Sequence, residues 1–340
     1  MKTIKTEESV GTVLCHDLVR IVKDEVKETA FHKGHVVRAE DIPVLLSMGK
    51  TRLFVWDLGQ DMVHENEAVK ALYEACPMEG PFEAAPPKEG GLHLTAGGDG
   101  LFLADLDLLE EINDDDEIGL VIRQSGVQVK RGEKVVSFKI IPLALNRQKI
   151  ERVKTKLGGK TLFAIKPFLP YKAAIVATGS EVFTGRIKDT FTPVVEEKLL
   201  EYGIKTIKKS VCDDKIELIS EAVKSSLSAG ADLIICTGGM SVDPDDLTPG
   251  AIKASGAQII TYGAPVMPGA MFLVAYIGDV PVLGLPGCVM FGKRTIFDII
   301  MPRIAAGFKV NRKEIRSLGH GGLCLNCHHC VFPACGFGRG

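Results

Sequence analysis

No apolar run in the sequence approaches the ~20 residues that span a bilayer. A one-signed surface of the kind that binds nucleic acid or lipid is also missing. The formal net charge is −2 over 340 residues, and the longest like-charged block, Asp114-Asp115-Asp116-Glu117, lies between apolar segments and reads as a solvated loop. The opening MKTIKTEESVGTVLCHDL has no continuous apolar stretch of the signal-peptide kind, so the expected compartment is the cytoplasm. A disulfide framework is lacking too. Of nine cysteines, Cys15, Cys76, Cys212, Cys236 and Cys288 are scattered and read as buried thiols, whereas the other four crowd together near the end of the sequence. Two phosphate-binding signatures are missing. No G-x-G-x-x-G follows a strand, and GCVMFGKR, residues 287 to 294, puts Arg294 where a P-loop needs a Mg²⁺-binding hydroxyl. Lys293 and Arg294 remain cations able to reach a phosphate.

What is present fits a globular chain with a sizeable core: 46% hydrophobic and 25% charged residues. The expected division is a mixed α/β unit over 1–76, a Pro/Gly-rich linker over 77–91, a mostly β subdomain over 92–170, an α/β domain over 171–310 and a cysteine-rich tail over 311–340. In the first unit a turn at Lys33-Gly34-His35, a helix over 40–48 and a strand over 52–56 are predicted. From Tyr171 onward, short apolar runs alternate with helical patterns. AAIVA, residues 173–177, and DLIIC, residues 232–236, read as buried strands. A helix follows from Phe191. Asp214 and Glu217 have the spacing of a capping box for the next helix. MFLVAYIGDVPVLGLPG reads as a hairpin turning at Gly278-Asp279, and one helix is expected over 289–305. Alternating strands and helices mean βαβ units and a mostly parallel sheet, whose ligands bind beyond the carboxyl ends of the strands.

Two turns stand at such ends: TGSE, residues 178–181, and TGGMSVDPDD, residues 237–246. Paired glycines let a backbone approach a ligand closely. A following helix start suits phosphate, and Thr178, Ser180, Thr237 and Ser241 offer hydroxyls. Asp243, Asp245 and Asp246 fit beside a phosphate if Mg²⁺ lies between. The two turns together therefore point to a phosphorylated ligand held with Mg²⁺.

At these residues the chain resembles the molybdopterin-binding domain family, over roughly 172–305. Three blocks carry the resemblance in order: TGSEVFTGRIKDT, CTGGMSVDPDDLTP and PGAMFLVAYIGDVPVLGLPG. It implies a doubly wound three-layer α/β/α fold and cofactor-binding roles for Thr178, Gly179, Ser180, Glu181, Gly185, Asp189, Thr237, Gly238, Gly239, Pro286 and Gly287, to which Ser241 adds its hydroxyl. It implies a metal-linked Asp246; the acidic turn itself adds Asp245 as a catalytic helper and Asp243 as a further metal ligand. The implied ligands are molybdopterin, Mg²⁺, and ATP or adenylylated molybdopterin with molybdate, in a homo-oligomer. Two departures weaken the implied metal-insertion step: Ala270-Met271 replace the usual lysine after Pro268-Gly269, and Pro286-Gly287 continues as Cys288-Val289. Three activities stay open: a molybdotransferase- or adenylyltransferase-like Mg²⁺ enzyme, a carrier passing cofactor to a molybdoenzyme client, and a pyrophosphatase or amidase of the competence/damage-inducible type.

The tail, GHGGLCLNCHHCVFPACGFG, spaces Cys324, Cys327, Cys330 and Cys335 as C-x₂-C-x₂-C-x₄-C. The spacing suits a metal centre, either tetrahedral Zn²⁺ or an iron–sulfur cluster. His16, His32, His35, His64 and His93 lack partner spacing and are expected to be structural or exposed. Cys236 reads as a buried thiol rather than a nucleophile.

Overall fold

The computed structural model describes residues 2–22, 26–55 and 61–339. It divides the chain into two compact units. One comprises Met1–Gly97, Ala104–Arg123 and Arg131–Ala164, and the other Gly98–Leu103, Gln124–Lys130 and Ile165–Gly340.

In the first unit the strand Lys2–Lys5 pairs antiparallel with Arg52–Val55, and Trp56, expected to extend that strand, lies outside the described residues. The predicted short helix is Asp41–Ser47. Its Leu45 is fully buried among Leu14, Leu18, Phe31 and Leu53. Gly34 takes a left-handed φ of 87° in the predicted turn. The Pro/Gly-rich stretch 77–91 contributes two short strands, Met78–Glu79 and Phe82–Ala84. A helix, Glu65–Ala75, is capped by His64, whose Nδ1 accepts from the Asn66 N–H at 3.3 Å. Its Nε2 therefore carries the proton and donates to the Cys15 carbonyl at 2.9 Å, and burial lowers its pKa. His64 is thus structural, as expected for a histidine without partner spacing.

The second unit is built on a six-stranded sheet. Its strands are β1 (Lys172–Thr178), β2 (Lys205–Cys212), β3 (Leu233–Thr237), β4 (Gln258–Tyr262), β5 (Leu273–Ile277) and β6 (Val280–Leu285). Their order across the sheet is β2-β1-β3-β6-β5-β4. β1 pairs parallel with both β2 and β3, and β3 parallel with β6, while β5 runs antiparallel to both of its neighbours. Alternation along β1 sends Ala173 and Ile175 to one face and Ala174 and Val176 to the other. The first face is covered by α2 (Phe191–Leu200) and α6 (Ile296–Ala305) through Val195, Leu199, Phe297 and Ile300. The second is covered by α3 (Ile216–Ser228) and α4 (Thr248–Ala254) through Ile219, Val223, Ala251 and Ile252. This is the three-layer α/β/α arrangement, with a buried run on each central strand because both faces are covered. The remaining helices are single turns or short: α1 (Ser180–Phe183), α5 (Cys288–Phe291) and α7 (Arg312–Ser317).

Two local expectations are corrected. The expected continuous helix over 289–305 is two helices, α5 and α6, because Thr295 caps the second. Its hydroxyl accepts from the Phe297 N–H, and Asp298 returns a carboxylate to the Thr295 N–H at 2.7 Å. The capping box at Asp214 and Glu217 is not formed. The N-cap of α3 is Lys215, without a side-chain cap, and the Asp214 carboxylate accepts instead from the Ser180 N–H at 2.8 Å.

Candidate functional site

Parallel pairing of Ala177 with Thr237 and of Thr237 with Leu285 brings the ends of β1, β3 and β6 to one edge of the sheet. Beyond that edge lies a cleft of about 410 Å³ lined by Gly238, Gly239, Ser241, Asp246, Pro286 and Gly287, with Met240, Ala270, Met271 and Cys288 completing its wall. The two distant sequence blocks around 238–246 and 286–288 therefore share one cavity.

The glycines have two different reasons to be there. Gly238 and Gly239 take left-handed φ values of 85° and 54°. A Cβ at Gly238 would overlap the Thr178 carbonyl, and one at Gly239 would stand 2.8 Å from the Thr248 hydroxyl. Tight packing of the loop onto its neighbours is thus sufficient to require both. Gly287, at φ −53°, would meet nothing within 4 Å if it carried a Cβ. Its backbone faces open space beside the cleft.

Thr178 and Thr237 are buried beneath the loop. The Thr178 hydroxyl is 3.1 Å from that of Thr248, so it braces the turn. On the neighbouring loop after β1, Gly179, Ser180, Glu181, Gly185 and Asp189 all lie outside the cleft's lining. The Ser180 hydroxyl donates to Asp213 at 2.7 Å. Asp213 is held below the usual carboxylate range by Lys215 first and Ser180 second. Asp189 accepts from the N–H groups of Phe191 and Thr192 at 2.9 and 3.0 Å, opening α2. Ser180 and Asp189 are thus engaged by the fold of the loop itself.

Among the three aspartates, Asp246 alone lines the cleft. Its carboxylate accepts from the Asp243 N–H at 3.1 Å, and its own N–H donates to the Asp243 carbonyl at 2.9 Å. Asp243 and Asp245 are exposed on the same turn. Among the described residues no three His, Cys, Asp or Glu side chains gather as a metal would require. Asp246 offers the cleft one carboxylate, and Mg²⁺ can be held by one or two carboxylates with phosphate oxygens and water completing its shell.

Tyr262 carried no signal in the sequence. From the end of β4 its hydroxyl contacts the carbonyls of Met240 and Ser241, at 2.9 and 3.1 Å. Burial and the nearby Asp246 carboxylate push its pKa up, so it stays a neutral donor. Cys236 is completely buried and its thiol is pushed up to about 12; it is no nucleophile. Burial also raises Cys288.

Arg294 and Lys293 do not line the strand-end cleft, which corrects their expected reach toward its phosphate. Arg294 pairs with Glu201 and Asp298, both at 2.9 Å. Asp298 is buried and also binds Lys198 at 2.7 Å. Lys293 and Arg294 instead line a second cleft of about 630 Å³, together with Cys324, Cys327, Cys330 and Cys335. The four thiols therefore share one cavity, but among the described residues no three of them meet at a point.

Comparison with known proteins follows the same division. Residues 174–306 match the family model described as "probable molybdopterin binding domain", and residues 3–57 match a domain of unknown function. A CinA-like protein of Thermosipho melanesiensis is 41% identical over 90 residues, covering 26% of this chain and 22% of the relative. A molybdopterin molybdenumtransferase of Staphylococcus epidermidis is 24% identical over 304 residues, covering 84% of this chain and 66% of the relative. The chain thus spans less than two thirds of the length of either. The molybdopterin biosynthesis enzyme MoaB of Thermus thermophilus is 19% identical. That likeness covers 39% of this chain and 91% of the MoaB chain, with a TM-score of 0.34. Among the described residues no helix is long and apolar enough to cross a membrane.

Proposed function

We propose, given that residues 174–306 belong to the probable molybdopterin binding domain family, that the strand-end cleft binds molybdopterin by its phosphate in molybdenum-cofactor assembly. The observation that carries this reading is the convergence of Gly238, Gly239, Ser241, Asp246, Pro286 and Gly287 on one cavity at the carboxyl edge of a parallel sheet. In this reading the Gly287 backbone admits the phosphate, Ser241 supplies a hydroxyl, and Tyr262 fixes the carbonyls of the 240–241 turn. Asp246, helped by Asp243, would hold Mg²⁺, which when bound would supply counter-charge to a phosphate or adenylyl-phosphate group; placement is most of what such chemistry needs. ATP, adenylylated molybdopterin and molybdate are the proposed co-substrates of a transferase acting in the cytoplasm, as a homo-oligomer.

A second reading is a carrier that binds cofactor and hands it to a molybdoenzyme. It is favoured by Ala270 and Met271, which put uncharged side chains into the cleft wall where molybdotransferases usually carry a lysine. The thiolate-bound metal expected at Cys324, Cys327, Cys330 and Cys335 is a separate proposal, because it enters no step of the pterin chemistry.

Equilibrium binding of molybdopterin, followed by assay with ATP, Mg²⁺ and molybdate, tests both readings. Binding with turnover that disappears in Asp246→Asn supports the transferase. Binding without product over hours supports the carrier. No binding at all sinks both, and hydrolysis of ADP-ribose in its place would point to the pyrophosphatase type.

A further inference from the structure

We propose that the second cleft is an iron–sulfur site, holding a cubane cluster on Cys324, Cys327, Cys330 and Cys335. The proposal stands apart from the pterin reading and uses none of its residues.

Residues 319–339 form a built element although no helix or strand lies among them. The Cys324 N–H donates to the Met267 carbonyl, and the Met267 N–H to the Gly322 carbonyl, both at 2.8 Å. The Gly338 N–H donates to the Gly321 carbonyl at 3.0 Å and ties the two ends of the segment together. Gly321 takes φ 78°, and a Cβ there would overlap the Arg339 backbone. Cys324, Cys335 and Phe332 pack against the domain core beside buried Phe337. Cys327 and Cys330 stand on the exposed rim. Two thiols are thus anchored and two are presented, around the same cavity. An irregular segment of this kind is what a bound metal centre stabilises, because binding free energy becomes folding free energy.

The shape of the cavity selects the centre. A tetrahedral Zn²⁺ draws all four sulfurs to about 2.3 Å from a single point. Here the four cysteines line one cleft of about 630 Å³ together with thirteen other residues, more room than a single tetrahedral ion fills. A cubane puts each thiolate on a different iron, so its ligands stand around a volume. The lining suits such a group. No carboxylate borders the cleft, and Phe291, Leu325 and Phe332 supply apolar walls. Phe291 and Leu325 are 81% and 79% exposed, large apolar surfaces that a cluster would cover. A thiolate-ligated cubane is anionic, and the Lys293 ammonium lies on the cleft wall, donating to the His328 carbonyl at 3.0 Å. Apolar walls, charge and exposure are the features by which a protein sets a cluster's potential.

The test is anaerobic purification of the full chain, with iron, sulfide and zinc measured per chain. Absorption from thiolate-to-iron charge transfer and the electron paramagnetic resonance of the reduced protein are recorded alongside. The expected result is about four irons and four sulfides per chain, directly or after anaerobic reconstitution with ferric and ferrous iron and sulfide. The Cys327→Ser/Cys330→Ser variant should lose the iron and the absorption. Because both positions are exposed, its far-ultraviolet circular dichroism should not change. One zinc per chain, with no iron taken up on reconstitution, would overturn the cluster in favour of a zinc site. No metal under any of these conditions, or iron retained by the double variant, would overturn the tail as a cluster site. Molybdopterin affinity is read separately and fails or survives independently of the iron content.

Discussion

The two clefts of the second unit are built in opposite ways. The strand-end cleft is assembled by the sheet. Its walls are backbone turns whose positions follow from parallel pairing of β1, β3 and β6. The tail cleft is assembled by side chains and isolated backbone hydrogen bonds, on a segment with no regular structure. A single helical turn separates them, for Cys288 lines the first and Phe291 the second. A cavity made by strand ends therefore needs no ligand to be shaped, whereas a cavity made by an irregular tail depends on its anchors.

Substitutions can break that contrast. The largest effect is expected on the tail side. Asp298 takes Lys198, Arg294 and the Thr295 N–H, and Asp298→Ala leaves Lys198 buried without its counter-charge. A loss of about 3–5 kcal/mol in urea unfolding is expected. Loss under about 1 kcal/mol would mean that water reaches Lys198. Next comes Gly238→Ala on the strand-end side, which meets both a positive φ and the Thr178 carbonyl. It should cost at least about 1–3 kcal/mol and abolish pterin binding, checked by unfolding and by equilibrium titration. Tyr262→Phe removes the donor to the Met240 and Ser241 carbonyls and should cost about 0.5–1.5 kcal/mol, with weaker pterin binding. The smallest stability change is expected for Gly287→Ala, within about 0.5 kcal/mol, because its added methyl meets nothing. Any fall in pterin affinity in this variant then reports on the ligand approaching that backbone. Unchanged affinity would remove Gly287 from the site.

Acid should separate the two units from each other, because the first holds His64 with its pKa lowered by burial. Below the ordinary histidine value near 6.5 the unfolded state takes up the proton more readily than the folded one. The first unit should therefore lose stability as pH falls through about 6 toward 5, while pterin affinity at the second unit is retained over the early part of that range. Parallel pH titrations of unfolding and binding check this.

Much of the second unit was legible residue by residue. AAIVA and DLIIC are continuous apolar runs because a central strand is covered on both faces. The Gly278-Asp279 turn follows directly from the hairpin pattern and is observed between β5 and β6. The site was legible only in part. Gly238, Gly239, Ser241, Asp246, Pro286 and Gly287 do meet, but Ser180 and Asp189 are taken by local hydrogen bonds. A motif specifies which groups are near a strand end, and it does not specify which neighbour claims each one. Tyr262 was invisible because its partners, the carbonyls of Met240 and Ser241, lie far back along the chain and carry no side-chain signature.

Local pattern was enough to fix the layered α/β domain, since hydrophobic period and turn glycines are properties of a short stretch of chain. It also made four thiols and two glycine turns available. Only long-range packing put the loops after β3 and β6 on one cavity. Packing likewise turned Arg294 toward Asp298 and Glu201 rather than a phosphate, and set the four tail cysteines along one cleft. Such outcomes depend on which charges and hydrogen-bonding groups find each other when the apolar faces are buried, and no single segment carries that information.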